Sequence, residues 1–280
     1  MASNVVDLLT PDGTYMRALP GPRGPIVLRV AQNHREHVLE ATVDGEGVPE
    51  HDIKLQLRRL LGVDSDVAGF THAALHIPWL APLVERMRGV RPPRYATLWE
   101  GCTNSIVFQQ VSLRAASTIT QRLIRELGEP VVTDDVPVPF YVFPGPDRFA
   151  AASDKMLRAA GLSGAKVAAL RGVADAITTG ALSETALEQM VSSDAALVLR
   201  QFKGIGPWTA AVILLRGLGR LDVFPANDTS IASNMALVAG GDPIDPKRTL
   251  ALLGSERGML YFYLLLARLE SRDEIGKPSF

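Results

Sequence analysis

The chain has 280 residues, 47% of them apolar and 21% charged, the balance of a folded protein with one large domain or two ordinary ones. Its 29 basic and 30 acidic side chains leave a formal net charge of -1, so any hold on nucleic acid must come from a local patch rather than from bulk charge. The single cysteine, Cys102, excludes an internal disulfide, a cysteine-rich zinc site and a four-cysteine iron–sulfur cluster.

Met1 to Leu9 lacks the basic-then-apolar order of a signal peptide. No apolar run approaches the ~18 residues of a membrane span; the richest, Met259 to Leu266, is far shorter. A soluble, cytoplasmic chain with no membrane partner is the expectation. Residues 1–93 read as a small α+β unit. Thr14–Leu19, Pro25–Val30 and His37–Val43 have the composition of short strands, punctuated by Pro20-Gly21, Arg23-Gly24 and Asp44-Gly45. Asp52–Leu61 follows with the apolar spacing of a helix. All five histidines fall in this part. The pairs His34/His37 and His72/His76 have spacings that one helix face could offer a metal, but no carboxylates flank them suggestively, and surface or packing roles are the expected ones. The basic connector Arg86, Arg88, Arg91, Arg94 reads equally as a solvated linker or a set of phosphate contacts.

Residues 94–280 accept helical periodicity nearly throughout. The helices expected are Thr97–Gln109, Leu113–Leu127, Asp147–Ala160, Ser163–Thr178, Ser183–Val191, Asp194–Phe202, Pro207–Arg216, Ser230–Val238 and Arg257–Glu270. The proline-rich Val136–Pro146 is expected as an extended loop. The informative stretch is 199–216, which begins Leu-Arg-Gln-Phe-Lys-Gly-Ile-Gly-Pro-Trp-Thr-Ala. A helix ends near Phe202, a turn uses Gly204 and Gly206, and Pro207 opens a second helix at the position that tolerates its missing N–H. Such a hairpin turns main-chain amides outward at a helix N-terminus, which suits a phosphate oxygen and ignores base identity. An ordinary αα-hairpin would look the same. Two further features tip the balance: Asp222-Val-Phe-Pro-Ala-Asn-Asp228-Thr places a carboxylate after an apolar turn, and Phe108-Gln-Gln-Val-Ser112 stands at a helix–helix junction upstream.

Together these motifs resemble the helix-hairpin-helix DNA glycosylase superfamily, and within it the 3-methyladenine DNA glycosylase II branch. The resemblance runs from about Arg91 to Leu266, including Leu157–Ser163 and Arg257–Phe262. It implies a mainly α fold, an all-helical core at 94–280 behind the small α+β domain at 1–93. It also implies a division of labour on damaged double-stranded DNA. Lys203, Gly204, Ile205, Gly206 and Thr209 would hold the backbone, with a monovalent cation on the carbonyls of Arg200, Phe202 and Ile205 as the one ion implied and no cofactor. Val107, Phe108, Gln109, Gln110 and Ser112 would enter the duplex, with Val107 and Phe108 as the apolar wedge. Asp228 would be the catalytic carboxylate, ahead of Asp222; a helix N-cap is its plain alternative.

An enzyme of this kind must unstack its base, and a carboxylate beneath the sugar stabilises the positive charge that develops as the glycosidic bond breaks. Trp208 stands where lyase-competent relatives carry a lysine nucleophile, so the resemblance implies a monofunctional enzyme that uses water. Trp208, Val212, Thr229 and Glu256 would line the base pocket, a set with fewer aromatics than the family usually shows. Alkylated bases of the 3-methyladenine or 7-methylguanine type are the expected substrates. Hypoxanthine or uracil, or a non-catalytic damage-sensing module, remain open. A monomer is expected.

Overall fold

A computed structural model describes residues 5–33, 35–134, 136–225 and 229–275, less the side chains of residues 137–139 and 229. Four antiparallel strands, β1 (Asp7–Leu9), β2 (Tyr15–Leu19), β3 (Ile26–Asn33) and β4 (Val38–Asp44), lie side by side in chain order. Tyr15 faces Val30 and Leu19 faces Ile26. The three expected strands are present within a few residues. β1 is too short for its alternation to be read, and chemistry fixes it instead: both Asp7 oxygens accept from Arg17 at 2.9 Å, and Tyr15 donates to the same carboxylate. Arg17 is only 2% exposed, and a charge so buried persists only when paired.

Eleven of the helices expected or found follow as α1 (Glu50–Leu61), α2 (Ala68–Leu75), α3 (Ala81–Arg86), α4 (Leu98–Val107), α5 (Leu113–Leu127), α6 (Pro146–Ala151), α7 (Asp154–Ala159), α8 (Gly164–Thr178), α9 (Glu184–Glu188), α10 (Ser192–Leu199) and α11 (Pro207–Val212). A π-helical turn, Ile213–Gly217, continues α11, and α12 (Thr229–Ala239), α13 (Pro246–Leu253) and α14 (Met259–Glu270) complete the described chain. The single helix expected over Asp147–Ala160 is broken because Ser153 accepts from Met156 N–H at 3.2 Å and caps a new start. Val136–Pro146 is not simply a loop: β5 (Pro130–Thr133) and β6 (Val136–Tyr141) form a hairpin, and among the described residues of 94–280 these are the only strands. Prolines two apart lose N–H groups on one edge of a strand and leave the other edge able to pair.

By packing, the chain divides into two compact units, residues 56–102 with 183 onward, and those up to 55 with 103–182. The expected line at 93/94 stays a proposal as a domain boundary. In the first unit Phe70, Leu80, Leu83, Leu215, Met235, Met259, Leu260 and Leu264 form the core. Tyr263 packs its ring 5.1 Å from Phe70 and spends its hydroxyl on the Met87 carbonyl. In the second, Leu8, Met16, Ala18 and Val27 pack with Phe140 and Val142 of the hairpin side. Among the described residues no single helix is long and apolar enough to cross a membrane; α13 and α14 reach that length only as a pair bent by 116°.

Cys102 is fully buried, and removal from water, then the nearby Glu184 charge, push its thiol up to about 12. A raised thiol pKa favours the folded state while the group stays protonated, so this contribution is intact below pH 9 and lost as pH climbs from 9 towards 12. Thiol reagents should modify Cys102 only after denaturation, and Cys102→Ala should flatten the loss of melting temperature between pH 9 and 11. Rapid labelling of the native protein would contradict this placement.

Candidate functional site

The hairpin forms as its sequence dictates. α10 ends at Leu199, Ile205 N–H donates to Phe202 O at 3.1 Å, and Gly206 precedes Pro207 at the first position of α11. Gly204 has φ +90°, a conformation that costs a residue with a Cβ. Gly206 is different: its φ is −86° and a Cβ there would meet nothing within 4 Å. Among the described residues nothing demands glycine at 206, which is what a surface needs where another molecule must reach the main chain. Lys203, Gly204 and Gly206 are exposed, whereas Ile205 and Thr209 are buried. Ile205 and Thr209 therefore anchor the hairpin with their side chains and can offer a partner only main chain. Phe202 O, one of the three carbonyls of the expected cation site, already accepts from Ile205.

Trp208 is half-buried in the first turn of α11, and Val212, its last residue, is buried. Beyond Val212 the expected helix does not continue as α: Leu218 N–H bonds Ile213 O and Leu214 O, both at 3.2 Å, widening the turn. Such π-turns are often found at functional sites. This one ends against α4, since a Cβ on Gly101 would lie 3.3 Å from Gly217 Cα. The Gly217 carbonyl accepts from Arg59 at 2.9 Å and from Arg94 at 3.0 and 3.2 Å. Arg59 also pairs with Glu184, whose other oxygen accepts from Leu98 N–H at the start of α4. Burial, then Arg59 beside it, lower the Arg94 pKa.

Three arginines of the basic connector have partners within the protein, although Arg86, Arg88 and Arg91 are exposed. Arg94 is spent on Gly217, Arg86 on Glu270 at 2.8 Å and Arg91 on Ser65 O. Of the histidine pairs, His34 lies outside the described residues; His72 and His76 stack edge to face, with His76 Nδ1 on His72 O. Among the described residues no group of three or more His, Cys, Asp or Glu is placed to hold a metal ion.

The segment before Asp228 is pinned at three places. Arg220 reaches the Leu187, Glu188 and Met190 carbonyls at the end of α9. Asp222, exposed, accepts from Ser192 Oγ at 2.9 Å. Gly258 N–H donates to Leu221 O at 2.7 Å. Asp228 lies outside the described residues, as does the side chain of Thr229, the first residue of α12. Glu256 closes a short 3₁₀ turn, half-buried, with its carboxylate against Gly69 and its Oε2 buried without a hydrogen-bond partner.

At the upstream junction one expectation is corrected. Val107 is 0% exposed, inside the last turn of α4, and no wedge can be made of it. Phe108 and Gln109 are half-buried, Gln110 is exposed with φ +54°, and Val111 is 38% exposed. Ser112 caps α5, accepting from Ala115 N–H at 3.2 Å. The residues that stand out are Gln110 and Val111; helical periodicity marked Val107 as apolar but not as interior.

Known proteins with these features agree with one another. The family model described as HhH-GPD superfamily base excision DNA repair protein matches residues 103–256. Over 226 residues, 79% of this chain, it is 31% identical to a Mycobacterium tuberculosis protein named probable bifunctional transcriptional activator/DNA repair enzyme AlkA. Over 143 residues, 50% of the chain, it is 35% identical to DNA-3-methyladenine glycosylase 2 of Escherichia coli. These matches span 43% and 48% of the two relatives, so the chain covers about half the length of the curated proteins it resembles. In fold it is similar to the 3-methyladenine DNA glycosylase of Archaeoglobus fulgidus, with a TM-score of 0.78 at 21% identity, over 95% of this chain and 91% of that one.

Proposed function

The chain belongs to the HhH-GPD superfamily of base excision DNA repair proteins, and from that premise we propose that it excises alkylated bases from double-stranded DNA with water as the nucleophile. The observation that carries the reading is the hairpin. Its exposed turn combines a left-handed Gly204 with a Gly206 where a Cβ would meet nothing within 4 Å among the described residues. A phosphate reaching the first amides of α11 would meet no side chain at Gly206 and would benefit from the helix dipole.

The chemistry then follows in order. The hairpin holds the backbone, and Gln110 with Val111 occupies the space a flipped nucleotide leaves, offsetting part of the few kcal/mol that unstacking costs. Trp208 offers a π-face to an electron-poor base. Asp228 stabilises the developing positive charge on the sugar and orients the attacking water. Position 208 carries no amine, so no covalent bond to the sugar forms by that route.

The test is direct. Incubated with a methylated duplex, the protein should release free base and leave abasic sites that break only on alkali treatment. Breakage without alkali would overturn the water mechanism. No free base at all, alongside salt-sensitive duplex binding, would reduce the protein to a binding module.

A further inference from the structure

Resting on that reading, we propose that Lys166 is a positioning residue, holding the turn 108–112 in the shape that enters the duplex. Lys166 is the third residue of α8, where Ser163 caps the helix by accepting from its N–H. A cation is out of place there, because the start of a helix carries partial positive charge and favours acids. The side chain compensates elsewhere: its Nζ donates to Val107 O at 2.7 Å and to Gln109 O at 2.8 Å. Those are carbonyls at and just past the C-terminal end of α4, where partial negative charge gathers and main-chain acceptors otherwise lack partners.

The two acceptors bracket Phe108, and the second belongs to the residue immediately before Gln110. Gln110 sits at φ +54°, uncommon for a side chain with a Cβ and stable only where the surroundings impose it. Lys166 grips the turn at its start, and the Ser112 cap fixes it at its end. Between them the exposed Gln110 and Val111 are presented. Partial burial lowers the pKa of this ammonium. With two of its three N–H donors committed to carbonyls, Lys166 is occupied as an anchor rather than poised for phosphate.

Three measurements on Lys166→Met and Lys166→Arg test this. Hydrogen exchange at the amides of 108–112 should quicken in Lys166→Met and recover in Lys166→Arg, which restores two donors; unchanged exchange in Lys166→Met overturns the proposal whatever the activity. Base release from a lesion opposite its normal partner should fall about tenfold in Lys166→Met, but no more than about twofold from the same lesion opposite an abasic analogue, where less has to be unstacked. Equal losses on the two duplexes, or none, overturn it. The dependence of binding on salt should keep its slope, whereas a slope reduced by about one charge would make Lys166 a phosphate contact instead. If wild-type protein releases no base, the enzymatic reading fails, and the exchange measurement still decides the role of Lys166. Should Lys166→Met not fold, Lys166→Gln takes its place, with one donor group and an intermediate effect expected.

Discussion

Asp228→Asn should lower base release from a methylated duplex by about a thousandfold or more, the scale on which a lost electrostatic stabiliser acts. Duplex affinity should stay within about twofold, because main-chain amides and phosphate contacts, not this carboxylate, supply most of the binding. The reason lies in charge development: as the glycosidic bond lengthens the sugar becomes cationic, and an anion already in place lowers that barrier more than it stabilises the bound substrate. Asn has nearly the same shape and no charge, so it isolates the electrostatic part. Asp222→Asn is the matched control. That carboxylate is exposed and engaged with Ser192, and its loss should cost little activity. Single-turnover rates on one labelled duplex compare the two, and the assignment falls if Asp222→Asn proves the more damaging.

Gly258→Ala should destabilise the fold by about 1–3 kcal/mol, the range for forcing an extra carbon into filled space. A Cβ at 258 would stand 2.7 Å from Val223 O and Leu215 Cδ1 and 2.8 Å from Leu221 O. Two of those three are main-chain atoms of the segment that runs on to Asp228, so relief requires that segment to move. A shift there, passed along five residues, should also reduce base release about tenfold, since small misplacements of a catalytic group are costly. Gly172→Ala in α8 is the comparison: its Cβ would meet nothing within 4 Å, and the change should be neutral or stabilising by up to about 1 kcal/mol. Urea unfolding and base-release rates decide. Wild-type values for Gly258→Ala on both would show that the close contact constrains nothing.

What could be read in the sequence was the chemistry that acts over a few residues. Gly204, Gly206 and Pro207 announce their turn because φ freedom and a missing N–H are properties of single residues. Leu113–Leu127 is found with the expected bounds, since its apolar stripe repeats over fifteen residues behind a serine cap. α2 and α3 are too short for an apolar repeat to mark them. α13 carries its start in plain residues, with Asp245 as its cap and Pro246 at its first position. The β5–β6 hairpin was hidden by prolines that usually mark loops. At the site, Lys166 was invisible because its acceptors lie 57 and 59 residues away, and the Arg94 network because Gly217 is 123 residues distant. The place of Asp228 in the order of elements was readable; its position in space lies outside the described residues.

The interleaving of the two packing units has a consequence for how the molecule can be taken apart. Each draws on two separate lengths of chain, and the two spans overlap, so no single scission leaves both cores whole in separate fragments: a piece starting at residue 94 forfeits Phe70, Leu80 and Leu83, which Met259 and Leu264 need as neighbours. Fusions or reporter inserts belong in surface turns, and the chain is handled as one piece.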